Sequence, residues 1–500
     1  MKEKITLHKE NIYLFFAISA LFLYRIWPIA YPENYQQDDV AELKVSFFEE
    51  LSCAVSFGGD HHPLLSILIW FLSRFTASPE YIVSTLIIIF AILSLFFIFK
   101  IIKDEYSFQT GLIVLTILIF SQPILTYSVS IKQYIFELFC TVYSLRVVQK
   151  ISMNEIKKGD IATYSIAAGV LFLFSFVNIF PILITTIFII FKSKTINYRY
   201  LFLSFILITP FAPFFLDKLQ RVIFGGYWDT FFISNLNNGG LYDTFYFLNS
   251  MFLKSLFTEN LVQFLFVPIV IIFLFSFTSS TNLIRYSLIG FSSIYILSIL
   301  KIYPIGAGRT DLLFLPYLCI LIAGFIHVLL SKFSENTTHI FVVFAICLYA
   351  FNGIANSSPY YKDERIEPIL GEIKYELNNN KTEIVVLYEQ FYSLIYYSRE
   401  LVGQELVEDI NGCTQRIPKI SNVTMFSKDP LLRNIEYKSI NSTNFVLSES
   451  EKIIVVGIEL PGTVGRYKEV EKLVKERGYE LTSTTTYPNY LSLIYFDLND

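Results

Sequence analysis

Runs of about 20 apolar residues, separated by short polar turns, recur through roughly the first 355 positions of the chain. A helix needs about that length to cross the hydrocarbon core of a bilayer. The segments 11–31, 80–101, 110–128, 131–148, 160–178, 180–193, 198–216, 260–278, 283–302, 310–331 and 338–355 reach or approach it, which predicts about eleven spans. The segment 62–75 is also apolar, but about 14 residues suits an interfacial or re-entrant helix, and it is not counted as a span. The pattern changes after residue 355. It predicts a helix over 362–378, an apolar strand at 383–388, a strand at 452–458, an amphipathic helix over 466–478, and strands near 481–486 and 491–497. The expected fold is therefore an α-helical polytopic membrane domain over 1–355, with a small α/β domain over 356–500.

Charge orients this arrangement, because Lys and Arg collect on the cytoplasmic side of membrane proteins. With the N-terminus inside, the cytoplasmic turns receive Lys100 and Lys103, then Arg146, Lys150, Lys157 and Lys158, then Lys192, Lys194 and Arg199, then Arg285, then Lys332. Counting 62–75 as a span would move the two richest of these clusters outside. An odd number of spans leaves the first loop 32–79, the loop 217–259, the turn 303–309 and the domain 356–500 on the extracytoplasmic face. The first apolar run follows Lys2, Lys4 and Lys9 as a signal peptide would. It is nevertheless long enough to span and has no convincing cleavage site, so it reads as a retained helix of a multi-pass protein of the plasma or inner membrane.

Composition removes some classes of function. The chain is 54% hydrophobic and 16% charged, with 50 Phe, and its mean hydropathy is +0.52, so most of it belongs in lipid. A net charge of −4 offers no basic surface to a nucleic acid. Of the five cysteines, Cys140, Cys319 and Cys347 fall in apolar spans, and Cys53 and Cys413 in water-exposed segments. Only elimination supports a bridge between the last two, and none is expected.

Candidate chemistry gathers on the outer face. The first loop contains Gln36-Gln37-Asp38-Asp39 and then Gly58-Gly59-Asp60-His61-His62-Pro63. A carboxylate near lipid loses solvation, its proton affinity rises, and it can take a proton from a hydroxyl. The same residues also suit plain caps, with Asp38 and Asp39 before a helix starting at Val40 and Pro63 opening the next. Two further clusters are Tyr127, Lys132, Tyr134 and Glu137, between the third and fourth spans, and Lys301, Tyr303 and Arg309. Both put cations outside, against the orientation rule. A phosphate at the membrane surface would satisfy them, as would snorkelling to the headgroups of membrane lipids.

In their order these features resemble the GT-C superfamily of polytopic glycosyltransferases, which use polyprenyl-phosphate-linked sugars, close to its protein mannosyltransferase and aminoarabinose transferase branch. The matching strings are Asp38-Asp39, His62-Pro63-Leu64, Tyr127-Ser128 with Lys132 and Tyr134, and Tyr303-Pro304 with Arg309. The chain departs from the family in having Asp for the usual second Glu, Leu64 for a second Pro, and Lys132 where Arg is commoner. The resemblance implies transfer of a sugar from a polyprenyl-phosphate donor to a hydroxyl of a glycan, lipid or protein acceptor. It assigns the base to Asp38, with Asp39 or Asp60 in support. Lys132, Tyr134, Lys301 and Arg309 would bind the donor phosphate, and His61 and His62 would support the loop or the acceptor. It makes no cofactor certain. A divalent cation near Asp60 and His62 stays open, because the spacing of these residues is not diagnostic. The alternatives are a flippase or other transporter of lipid-linked sugars, which would show paired broken helices and midplane charges, and a membrane-anchored binding protein that works through its C-terminal domain.

Overall fold

The computed structural model describes residues 13–26, 43–57, 62–76, 78–192, 202–213, 216, 281–303, 310–355, 367–376, 379, 381–387, 394, 396–398, 404–408, 413–418, 423–426, 439–440, 450–458, 464–486 and 491–498. The chain packs as two compact units, one of residues 1–30, 62–65 and 84–358, the other of 31–61, 66–83 and 359–500.

The helices are α1 (Tyr13–Ile26), α2 (Leu51–Phe57), α3 (Pro63–Leu72), α4 (Pro79–Glu105), α5 (Phe108–Ile119), α6 (Gln122–Tyr127), α7 (Tyr134–Ser152), α8 (Lys158–Phe174), α9 (Ile179–Lys192), α10 (Phe202–Ile208), α11 (Asn282–Ile299), α12 (Leu315–Leu330), α13 (Glu335–Ala355) and α14 (Glu367–Ile373). Each predicted span contains one of these except 260–278, which lies outside the described residues, as does the loop 217–259. Among the described residues, α4 and α11 alone are long and apolar enough to cross a bilayer without adjacent segments.

Two predicted spans are interrupted, and for local reasons. The span 110–128 breaks after α5, where Ser121 is extended and Pro123 opens α6; proline lacks the N–H that a helix interior needs but suits a first turn. The span 160–178 breaks at Ser175, which is extended at φ −157, and a 3₁₀ turn over Phe176–Asn178 leads into α9. Asn178 Nδ2 donates to Leu171 O at 2.7 Å, a second bond to the carbonyl that accepts the last helical N–H, from Ser175 at 3.1 Å.

Side chains close several helix ends. The Ser107 hydroxyl accepts from Thr110 N–H at 3.2 Å at the start of α5, and Thr281 accepts from Ile284 N–H at 3.3 Å at the start of α11. At the predicted cytoplasmic end, Asp160 accepts from the Lys157 N–H at 2.9 Å and pairs with Lys150 at 2.9 Å. There too, Arg146 pairs with Asp104 at 2.8 Å.

In the second unit, β1 (Thr382–Leu387), β2 (Gln404–Glu408), β3 (Thr414–Pro418), β4 (Val423–Phe426), β5 (Ser439–Ile440) and β6 (Lys452–Ile458) are followed by α15 (Val464–Lys475), β7 (Tyr479–Thr486) and β8 (Leu491–Leu498). The main sheet runs β5-β4-β1-β6-β8-β7. β5, β4, β1 and β6 are mutually parallel, and β8 and β7 are antiparallel additions. Every residue of β1 is buried, as a continuous Val/Ile/Leu run requires of a central parallel strand. Val470 and Val474 of α15 join Val385, Leu387, Ile453, Val455, Ile494 and Phe496 in one core. Just past α14, Glu376 is desolvated, but hydrogen bonds from Thr382, Lys452 and Asn379 outweigh that and hold its carboxyl below the usual range.

The sequence reading places β1, β6, β7, β8 and α15 within a few residues. It misses β2, β3, β4 and β5. It also expects no bridge at Cys53, and this is corrected, because Cys53 and Cys413 form a disulfide. Cys53 lies on α2, and Cys413 directly precedes β3.

Candidate functional site

The first unit builds a polar cluster around one face of α7. Tyr134, Glu137 and Thr141 stand at i, i+3 and i+7 on that helix and so share one side. Each reaches a different segment. The Tyr134 ring packs edge-on to Tyr127 at 4.9 Å, closing the turn 128–133 that carries Lys132. Glu137 Oε1 accepts from the Ser175 hydroxyl at 2.6 Å, at the break between α8 and α9. Thr141 Oγ1 donates to Leu313 O at 2.7 Å, which anchors the segment that follows Arg309. All three side chains are buried, so these contacts form in a low dielectric, where polar groups need partners.

The break at Ser175 has a second use. Extended backbone there frees the Phe176 N–H, which donates to His62 Nδ1 at 3.1 Å. His62 is 2% exposed, and its ring meets Phe176 edge-on at 5.2 Å. A ring nitrogen that accepts a backbone N–H carries no proton, so the neutral His62 ring carries its proton on Nε2. The position immediately before α3 is thereby fixed by a hydrogen bond 114 residues distant in sequence.

Lys301 closes α11 in an unusual way. It lies at φ 56, donates its N–H to Ser298 O at 3.1 Å, and is followed by Ile302 N–H donating to Leu297 O at 2.8 Å. This is the paired-bond helix ending whose left-handed position normally takes glycine or asparagine. Asn154 after α7, at φ 57, and Gly478 after α15, at φ 92, follow that preference, whereas Lys301 does not. Tyr303, two residues on, is buried against Phe314 at 5.5 Å and Phe180 at 6.2 Å.

Of the residues singled out from the sequence, then, Lys132, Tyr134, Glu137 and His62 are joined through α7 and the α8–α9 break, and Lys301 and Tyr303 sit at the end of α11. Asp38, Asp39, Asp60, His61 and Arg309 lie outside the described residues. Among the described residues no group of three His, Cys, Asp or Glu side chains is placed to hold a metal ion.

The second unit holds the described part of the first loop except residues 62–65, and its contacts are ones the sequence reading does not name. Glu49 accepts from Arg416 Nε at 2.9 Å and pairs with Arg74 at 3.6 Å. Trp70 Nε1 donates to Phe48 O at 2.9 Å, and Arg74 also donates to that carbonyl. Tyr396 donates its hydroxyl to Glu80 at 2.5 Å, both side chains being buried. The one sequence signal for this arrangement is that Cys53 and Cys413 are the cysteines left outside apolar spans.

No protein-family model matches the sequence, and no curated protein matches it at a significant level. Solved structures do. ArnT from Cupriavidus metallidurans in the apo state aligns with a TM-score of 0.59 at 10% identity, covering 98% of both chains. ArnT from the same organism bound to undecaprenyl phosphate aligns with a TM-score of 0.61 at 10% identity, covering 97% of both chains. At that identity the likeness is one of fold and runs nearly end to end, so the chain has the fold that ArnT shows.

Proposed function

We propose that the chain is a membrane glycosyltransferase that moves a sugar from a polyprenyl-phosphate-linked donor to an acceptor hydroxyl on the outer face of the membrane. The observation that carries this reading is the end-to-end likeness to a protein solved with undecaprenyl phosphate bound. The family string Tyr127-Ser128 with Lys132 and Tyr134, which runs into the α7 cluster, supports it.

In this reading Asp38 takes the proton of the acceptor hydroxyl, and the oxygen attacks the anomeric carbon. The bond from that carbon to the phosphate oxygen breaks, and polyprenyl phosphate departs with the bonding pair, inverting the anomeric configuration. A phosphate already neutralised by cations leaves without protonation, so one base suffices. Lys132, Lys301 and Arg309 supply that charge, Arg309 through a fork of donors and the lysines as point charges. Asp39 and Asp60 support the base or the acceptor, and His61 and His62 hold the loop.

Asp38→Asn keeps size and removes proton affinity. Turnover should fall by about 10² to 10⁴ while undecaprenyl phosphate still binds. Asp39→Asn should be milder, since a lost helix cap costs about 1 kcal/mol of local stability. Full turnover in Asp38→Asn with loss in Asp39→Asn would exchange their roles, and two active variants would remove the acidic pair from the chemistry. A transporter of lipid-linked sugar is the second reading, favoured by the interruptions at Ser121 and Ser175. It requires donor to cross the membrane in proteoliposomes without acceptor, and Asp38→Asn to leave that rate unchanged.

A further inference from the structure

Lys100 stands at the end of the predicted span 80–101, toward the predicted cytoplasmic end of α4. With Lys103 and Asp104 it occupies positions i, i+3 and i+4, which share one side of the helix. Arg146, Gln149 and Lys150 repeat that spacing on α7. Hydrogen bonds pin the two helices together here. Gln149 Nε2 donates to Ile101 O at 2.8 Å, and Arg146 donates to Asp104 at 2.8 Å and to Gln149 Oε1. Lys150 pairs with Asp160 of α8 at 2.9 Å, Lys103 lies 6.0 Å from the Phe108 ring, and Glu105 meets Gln149. Asp104 and Asp160 are thus each taken by a cation other than Lys100.

Lys100 is left over. Among the described residues its ammonium makes no ion pair and no side-chain hydrogen bond, and of the four charged groups that act on it, Arg146, Lys150 and Lys103 repel while Asp104 alone attracts. The side chain is half-buried. A cation at the edge of the hydrocarbon that has given up part of its water, and stands among like charges, wants an anion. Helix ends do not account for it. Lys103 and Lys150 lie in the last turns of α4 and α7, where cations complement the exposed carbonyls, but Lys100 precedes the last turn of α4. We propose that the junction of α4 and α7 binds the phosphate of an anionic phospholipid of the leaflet at that end, with Lys100 as its donor and Lys103 and Lys150 adding positive charge. Inorganic phosphate has the same chemistry. The lipid is favoured because α4 is long and apolar enough to cross a bilayer, which sets its end among headgroups, and basic crevices between membrane helices hold anionic ones. The proposal is independent of the transferase reading, since none of these residues belongs to that site.

The full chain, purified in an uncharged detergent and stripped of lipid, is titrated with phosphatidylglycerol and with phosphatidylcholine. Binding is read by native mass spectrometry and by the thermal midpoint, and inorganic phosphate is added as a competitor. Phosphatidylglycerol should bind and raise the midpoint, phosphatidylcholine should do neither, and millimolar phosphate should not displace the bound lipid. Lys100→Gln should weaken phosphatidylglycerol binding about ten-fold or more through loss of a charge-assisted contact, and Lys100→Arg should keep it. Lys332→Gln, at an exposed position of another turn on the same predicted side, should bind as the unaltered protein does. Without lipid, Lys100→Gln should melt no earlier than the unaltered protein, because it removes a charge that its neighbours repel. Equal affinity for the two lipids would overturn the proposal. So would displacement by inorganic phosphate, which marks a site for the free ion, or an equal loss in Lys332→Gln, which marks a general pull of basic turns on anionic lipid. An earlier melt of lipid-free Lys100→Gln would overturn it as well, since Lys100 would then be held by the protein itself.

Discussion

Lys301 carries an energetic signature that no string of letters displays. A side chain with a Cβ in the left-handed region costs roughly 1–2 kcal/mol relative to the right-handed one, and glycine at the same place in the helix ending escapes most of that. Lys301→Gly should therefore stabilise the end of α11, or leave it no worse, while undecaprenyl phosphate binding weakens about ten-fold or more through loss of a charge-assisted contact. A variant that is more stable and binds undecaprenyl phosphate as before would make the lysine a headgroup anchor. His62 permits a similar separation. Because its Nδ1 accepts from Phe176 N–H, the amide oxygen of Asn can stand in for it and that of the longer Gln cannot, so His62→Asn should keep most of the thermal stability that His62→Ala and His62→Gln lose, about 1–3 kcal/mol for an orphaned buried donor. Equal loss in all three would reassign the residue to packing. The sequence marked His62 as the residue before a helix-opening proline, but not its partner, because nothing local connects residues 62 and 176.

Length and apolarity made the helices legible, and what escaped were the interruptions, because Phe176-Val177-Asn178 is almost as apolar as the span around it and carries no helix breaker. Pro123 was a signal, weaker than the run of apolar residues in which it sits. The small strands escaped for the opposite reason: β2 and β3 read QELVE and TQRIP, too polar and too short to stand out from loops. How closely helices approach is also invisible until they are packed. Gly290 of α11 faces Tyr317 of α12, and a Cβ there would stand 2.6 Å from the ring; Gly324 of α12 faces Ile284 of α11, where a Cβ would stand 2.9 Å from the Cδ1 methyl. The two helices exchange a large residue for a glycine in each direction, which lets their backbones close up as small residues do in membranes. An added methyl at Gly290 meets a rigid ring already packed on Tyr286 and Phe314, whereas at Gly324 it meets the free end of a flexible chain. Gly290→Ala should therefore lose about 1–3 kcal/mol to overpacking, and Gly324→Ala less, offset by alanine's helix propensity of up to about 1 kcal/mol. Thermal unfolding in one detergent would compare them, and equal midpoints would mean that Tyr317 yields as readily as Ile284.

On the scale of the whole molecule, the crosslink bears on topology without any appeal to charge. In a multi-pass chain two cysteines can join only in one compartment, which predicts an even number of crossings between Cys53 and Cys413. All the predicted spans but the first lie in that interval, ten of the eleven, and ten is even. Counting 62–75 as a span would make the number odd and put the two thiols on opposite sides. The helix found there, α3, has 10 residues, about 15 Å of rise against a core of about 30 Å, so it is too short to cross as a helix on its own. Disulfides persist in oxidising compartments, which predicts the outer face for both the first loop and the C-terminal domain, the same expectation that the Lys and Arg pattern gives. Sequence could not supply this argument, since the pairing of cysteines is not readable from their spacing. In a chain whose exposed Cys347 is changed to Ala, Tyr375→Cys, at a position 86% exposed, should react with a membrane-impermeant maleimide on intact cells. Glu155→Cys, on the turn after α7, should react only once the membrane is opened. The reverse pattern would invert the protein in the membrane, and labelling of both from outside would break the count of spans between residues 155 and 375.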